Sequence, residues 1–377
     1  MPIRLILLIV LLNMTAFRGS KVVVTLFAIE LGVAQLYIGA LIATYSLFPM
    51  LLGLYAGKLT DRLGVRTPMI AGTCGVVTAL LVPYLFPGIP ALYVSATMIG
   101  ASWVFYNVCA QNLVGILSDN ETRARNFSNY GLVMAGGSFS GPMLSGISID
   151  HFGHAQTYLH LAAFPLTTAL ILLALRSVPP GLGKGKVSEE HASYSANLLS
   201  NKPLRRTLIT SAIILTGTDL FQFYMPIYGR AAGLSATAIG MILGTFSVAA
   251  FVVRLGLPGM VKRIGADALL MWALFIGSAA YLVFPWFQSA LLLGAIAFIL
   301  GLGLGCSQPL SLMLIYDRAP PGRSGEALGL RMTINNFMHI AIPLLFGSIG
   351  TVFGVAPVFL ANAAIMAAGG IISRKTR

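Results

Sequence analysis

The chain has 377 residues, of which 57% are hydrophobic and only 9% charged, and its mean hydropathy is +0.85. A water-soluble domain carries about 25% charged residues, so this composition excludes an ordinary soluble enzyme. The 24 Lys and Arg against 11 Asp and Glu give a net charge of +13, but the basic residues stand singly between apolar runs. That pattern speaks for membrane topology and against a nucleic-acid partner.

A bilayer crossing needs about 20 apolar residues. Segments of that kind fall at 3–28, 36–56, 68–87, 91–116, 127–148, 156–176, 206–229, 236–257, 268–287, 290–315, 327–349 and 355–373. They predict an all-α membrane protein of twelve transmembrane helices embedded in the lipid bilayer. The first segment begins like a secretory signal, yet no small-x-small cleavage site precedes the resumption of apolar residues at Val22, so it is taken as the first span. Cys74, Cys109 and Cys306 lie inside apolar stretches without metal-ligand spacing and are expected to be small core residues. Gly301-Leu-Gly303-Leu-Gly305 sits within a span and follows no strand, and no phosphate-binding loop or catalytic cluster is visible. No metal, cofactor or enzymatic activity is expected, and work must draw on an ion or solute gradient.

Alternate connections carry Arg4, then Lys58, Arg62 and Arg66, then Arg123 and Arg125, then Arg176 through Arg206, then Lys262 and Arg263, then Arg318 and Arg323, then Arg374, Lys375 and Arg377. The opposite connections hold only Arg230. The positive-inside rule then places both termini in the cytoplasm. The polar stretch 177–204 is expected to be a cytoplasmic linker between an N-terminal six-helix bundle, 1–176, and a C-terminal one, 205–377.

Shifting the chain by 201 residues superposes these halves without a gap: Arg4 falls on Arg205, Gly32 on Gly233, Gly39 on Gly240, Gly64 on Gly265, Gly100 on Gly301, Pro142 on Pro343 and Gly153 on Gly354. A single offset joining six corresponding spans marks an internal repeat. Six is even, so both halves enter from the same side as parallel repeats around a central cavity, a body built to rock.

Over essentially its whole length the chain resembles the major facilitator superfamily. The most specific piece is Gly57-Lys-Leu-Thr-Asp61-Arg62-Leu-Gly64-Val-Arg66, similar to the family's loop signature G-x-L-x-D-R-x-G-R. Gly57 and Gly64 are expected to form a tight turn, Asp61 to face a helix N-terminus, and Arg62 or Arg66 to reach Asp119 as a cytoplasmic gate. In the second half Lys262 replaces Asp61 and Asp267 replaces Arg66, so any latch is expected to be stronger in the first half. Span five carries Gly137-x-x-x-Gly141-Pro142-x-x-Ser145-Gly146, which resembles an element of the family's proton-driven exporters, with Ser145 departing from its final double glycine. Small residues there let helices approach, and Pro142 bends the span. The exporters' basic residue of span four, expected near Ala96, is absent. The resemblance implies a bacterial inner-membrane transporter of the drug or metabolite exporter type.

Arg18 lies about 22 Å along span one, near the bilayer centre, and Lys21 follows on the same face. The 201-residue shift maps Arg18 onto Asp219, Lys21 onto Gln222 and Asn107 onto Gln308. In a facilitator-like fold spans one, four, seven and ten line the cavity, so these six residues are the expected substrate site. Arg18 and Asp219 should face each other, either as an ion pair joining the halves or as an anion-binding cation beside a carboxylate that changes charge with the proton. Span eleven adds Asn335 and His339 on one face, with His339 a second proton-coupling candidate and Arg331 near enough to the cytoplasmic end to snorkel. Glu30 and Arg230, at the outer ends of spans one and seven, are expected to close an external gate.

The sequence therefore predicts a secondary transporter working by alternating access, with a small-molecule substrate of possible anionic character, protons as the coupling ion, and export as the favoured direction. Uptake of a small organic anion is the alternative, and a non-transporting receptor or scaffold with the same fold is the alternative from another class.

Overall fold

The computed structural model describes residues 3–118, 123–174, 198, 200–320 and 324–374. All regular structure among them is helical. The first half comprises α1 (Ile3–Glu30), α2 (Gln35–Leu63), α3 (Arg66–Leu85), α4 (Ile89–Ile116), and a long run, Arg123–Ala174, that breaks at Gly153 into α5 (123–152) and α6 (154–174). The second half comprises α7 (Lys202–Ala231), α8 (Ala236–Ile264), α9 (Ala266–Val283), α10 (Ala290–Leu304), α11 (Ser307–Arg318), α12 (Ser324–Phe353) and α13 (Val355–Arg374).

Eleven helical stretches among the described residues are long and apolar enough to cross a membrane, and one of them, Asn129–Ala174, has 46 residues. At 1.5 Å per residue that stretch would be about 70 Å long, twice a bilayer core. It doubles back instead. Gly153 adopts φ 81°, ψ 173°, and the Ser148 hydroxyl lies 2.8 Å from His160 Nδ1, a contact impossible along a straight helix. The described residues therefore make twelve crossings, the tenth divided between α10 and α11 by a turn at residues 305–306.

The repeat is written into the backbone. The described glycines with left-handed φ are Gly32, Gly64, Gly153, Gly233, Gly265 and Gly354, which form three pairs at the 201-residue offset. Each ends a helix where a side chain would strain the turn. Close helix crossings are paired in the same way. A methyl group added at Gly39 would overlap the Pro343 carbonyl, and one at Gly240 the Pro142 carbonyl; Gly146 meets the Ala236 carbonyl, and Gly347 the Gln35 carbonyl. Lipid tails give apolar helices no hydrophobic reason to associate, so packing through such small residues carries the interface.

Two expectations are corrected. Gly57 lies within α2, which continues to Leu63, so the turn after it depends on Gly64 alone. Of the cysteines, Cys109 and Cys306 are buried but Cys74 is exposed on α3. Most of 177–204 lies outside the described residues, as does Asp119.

Overpacking a close crossing costs about 1–3 kcal/mol. Gly39→Val and Gly240→Val should each lower the unfolding midpoint of detergent-purified protein, whereas Gly53→Ala, at a glycine with nothing within 4 Å of an added methyl, should not. Equal midpoints across the three would contradict the assigned crossings.

Candidate functional site

Between the halves lies a cavity of about 530 Å³, walled by α1, α2, α4 and α5 on one side and α7, α8, α11 and α12 on the other. Arg18, Lys21, Asn107, Asp219, Gln222, Gln308 and His339 all line it. Asn335 does not: Asn336 takes its place, because the cavity lies on the side of α12 reached by a three-residue step from His339 rather than a four-residue one.

The expected contact between Arg18 and Asp219 is replaced by two others. Arg18 Nη1 donates to Gln222 Oε1 at 2.6 Å, across the halves. Asp219 Oδ2 is engaged by His339 Nδ1, within the second half. Since Arg18 and Gln222 are the repeat mates of Asp219 and Lys21, exact symmetry would place Lys21 against Asp219. His339, whose mate is Ser138, breaks that symmetry by holding the carboxylate. Lys21 instead rests over the rings of Phe17 and Tyr45, 5.1 and 5.5 Å from their centroids, a cation–π arrangement that suits a desolvated ammonium. Phe17 in turn stacks on Trp103 at 4.0 Å, so the cations border an aromatic shelf.

Nearer the ends that carry the termini, a second matched pair holds the amides. Tyr130 donates to Asn107 Oδ1 at 3.1 Å, and Arg331, the repeat mate of Tyr130, donates to Gln308 Oε1 at 2.6 Å and to Ser311 at 3.1 Å. Arg331 is 8% exposed: it is buried in this network rather than snorkelling. Arg254 also lines the cavity and donates through Nε to the Gly305 carbonyl at 2.8 Å, at the break between α10 and α11. A lone arginine inside the 236–257 apolar segment was the signal for it, the same signal that marked Arg18.

The cavity reaches toward the terminal ends, since it includes Gly131 early in α5 and Arg254 late in α8. Toward the far end it narrows to a recess of about 50 Å³ bounded by Pro142 and Pro343. Beyond that the halves are joined. The Tyr224 hydroxyl lies 3.0 Å from Gln35 Oε1 and 2.6 Å from the Phe346 carbonyl, while on the wall of the recess itself Ser247 donates to the Ser138 carbonyl at 3.2 Å. The span-five element has two working faces: Gly137 and Gly141 press on α1, while Pro142 and Gly146 press on α8.

The expected external bridge is not formed. Glu30 is engaged by His154, within the first half, and His154 stacks on Phe27 with centroids 5.3 Å apart. At the terminal end Arg62 is exposed and Arg66 half-buried; the Asp61 side chain and Asp119 lie outside what is described. The second copy of the motif has an ion pair of its own, with Arg318 Nη2 lying 2.7 and 2.6 Å from the two Asp267 carboxylate oxygens.

The family model described as Major Facilitator Superfamily matches residues 6–343. The chain belongs to this superfamily. It is therefore an integral membrane transporter, and neither the family nor its named relatives are enzymes. Among curated relatives, the multidrug resistance protein MdtG of Klebsiella pneumoniae (strain 342) is 23% identical over 363 residues, covering 92% of this chain and 86% of that protein. MdtG of Escherichia coli O1:K1 / APEC is 22% identical over 362 residues, covering 92% and 87%. Among solved structures, the nucleoside transporter NupG superposes with a TM-score of 0.83 at 13% identity, covering 99% of both chains. A peptide transporter, POT, gives 0.83 at 14%, covering 98% and 93%. These establish the superfamily fold.

A hydrogen bond to a charged group contributes about 1.5–3 kcal/mol, and a neutral one about 0.5–1.5. Gln308→Leu, which strips a buried guanidinium of its acceptor, should lower the unfolding midpoint about twice as far as Asn107→Leu. Equal shifts would contradict the assigned pairing.

Proposed function

We propose that this protein is a proton-coupled exporter of a small organic solute, with both termini in the cytoplasm of a bacterial inner membrane and the halves 1–176 and 205–377 rocking about the cavity. The observation that carries the proposal is the division of labour at the cavity's centre: Arg18 reaches across to Gln222, while Asp219 is held by His339. A carboxylate and an imidazole in contact form a site that can hold a transferable proton between them. Arg18 presents a forked donor set that a substrate can compete for. A proton on the dyad cancels its negative charge and leaves the positive potential of Arg18 and Lys21 less compensated, so that loading of the two sites is linked.

Export is favoured by the relatives named as multidrug resistance proteins and by the span-five element at the α1 and α8 interfaces. In this orientation the cavity is open to the cytoplasm, where an exporter loads. Asp61, Arg62, Arg66 and Asp119 then belong to the gate that closes when the far end opens, and Gly141 and Pro142 to the far-end seam. A second reading, transport of a small organic anion, is favoured by the cavity's charge: Arg18, Lys21 and Arg254 face one carboxylate, already engaged by a histidine. The aromatic shelf beside the cations supplies a surface for an apolar body.

In proteoliposomes, Asp219→Asn should abolish solute movement driven by a pH gradient while preserving solute counterflow, and Arg18→Ala should abolish both. Gradient-driven transport that survives Asp219→Asn would overturn the coupling role. Thermal stabilisation by ligands separates the substrate classes: organic anions acting through Arg18 support the anion reading, and cationic amphiphiles acting through Asp219 contradict it.

A further inference from the structure

The far-end seam contains a contact that neither the repeat motifs nor the cavity accounts for. The Asp150 carboxylate, in the last turn of α5, accepts hydrogen bonds from two backbone N–H groups in the first turn of α8, Ala236 at 2.9 Å and Thr237 at 2.7 Å. A helix start leaves its first N–H groups without intrahelical partners. The N-cap of α8, Ser235, satisfies only Ala238, at 3.1 Å. Asp150 supplies the rest from the other half of the molecule.

The repeat mate of Asp150 is Thr351, and it makes the corresponding contact: its hydroxyl accepts from the Leu36 N–H, in the first turn of α2, at 2.9 Å. The N-cap of α2 is Ala34, which has no capping side chain. Each half therefore caps a helix of the other, at two places related by the 201-residue offset. The two caps differ in charge. Asp150 brings a full negative charge to the positive end of α8 and makes two charge-assisted bonds, whereas Thr351 makes one neutral bond. Neither contact survives separation of the halves, because α5 and α12 must leave α8 and α2 for the far end to open.

We infer that Asp150 is a positioning residue of the transport cycle: its cap on α8, in trans and with Thr351 as weaker partner, holds the far end shut while the cavity is open at the terminal end. This goes beyond the proposed solute and coupling ion, and needs neither to be correct.

The test reads access to the cavity from each face. Ser46 lines the cavity, and the exposed Cys74 is first replaced by Ser. Labelling of Ser46→Cys by a membrane-impermeant thiol reagent is then timed in right-side-out and inverted vesicles, which identify the open face of the parent without assuming its orientation. Asp150→Ala should raise labelling from the closed face by about tenfold and lower it from the open face. Asp150→Asn, which keeps one acceptor, should fall between, and Thr351→Val should act more weakly. Ala236→Pro removes a donor from the opposite side without touching Asp150. The preceding Ser235 is already extended (φ −67°, ψ 157°), so proline is accommodated at the first helical position, and this variant decides the matter should Asp150→Ala not fold. Closed-face labelling at the parent rate in folded Asp150→Ala and Ala236→Pro overturns the inference. So does a rise from both faces together, which would mark general loosening.

Discussion

A charged side chain at the middle of a bilayer costs about 2.5–3.5 kcal/mol on insertion scales, and this chain carries Arg18, Lys21 and Asp219 at that depth. They are tolerable only where protein and water replace lipid around them. The cavity between the halves is the place that meets the requirement: Arg18 donates a hydrogen bond to Gln222, Lys21 lies over two aromatic rings, and Asp219 is held by His339. These groups line a space reached from the terminal end and sealed beyond Pro142 and Pro343. The position of the charges thus fixes where the halves must part, and the glycine crossings fix where they must meet.

The repeat explains why a single chain can serve two states. Several far-end contacts come in mates: Gly39 on Pro343 with Gly240 on Pro142, and Asp150 on α8 with Thr351 on α2. A body joined by two such matched seams rotates about the axis between them rather than unzipping. Chemistry enters where the symmetry fails. His339 stands opposite Ser138, Asp219 opposite Arg18, and Arg331 opposite Tyr130, so the second half carries the carboxylate and imidazole, and the first half Arg18, Lys21 and the aromatic shelf. In the proposed cycle these two walls, facing across one cavity, take the proton and the substrate separately.

Much of this was legible in the sequence because it depends on spacing along the chain. Apolar runs located the crossings, and the 201-residue offset paired the glycines that later proved to be the left-handed turns. Intramembrane charge located the cavity, seven of whose predicted residues line it. What was not legible depends on helix rotation and depth. Asn335 and Asn336 differ by one step of about 100°, too fine for periodicity to resolve. Glu30 and Arg230 occupy nearly matching positions, yet Glu30 turns to His154, which the chain reversal at Gly153 brings beside it. The Asp219–His339 contact spans 120 residues, and no local pattern announces it. Asp150 escaped notice because a carboxylate at a helix end is unremarkable until the helix it faces is known. Arg254 carries the same signal as Arg18, but its repeat mate is the uncharged Gly53, so the offset that pairs Arg18 with Asp219 gives it no counterpart.

In the proposed cycle the two ends move reciprocally, biased by a proton on the Asp219–His339 dyad. Pulsed spin-label distances test it most directly, with one pair at the far end (Leu31→Cys with Ala232→Cys) and one at the terminal end (Leu63→Cys with Ile264→Cys), each in a Cys74→Ser background. Lowering the pH should lengthen one distance while shortening the other, and Asp219→Asn should abolish that response. Two distances that change in the same direction, or a pH response that persists in Asp219→Asn, would contradict it.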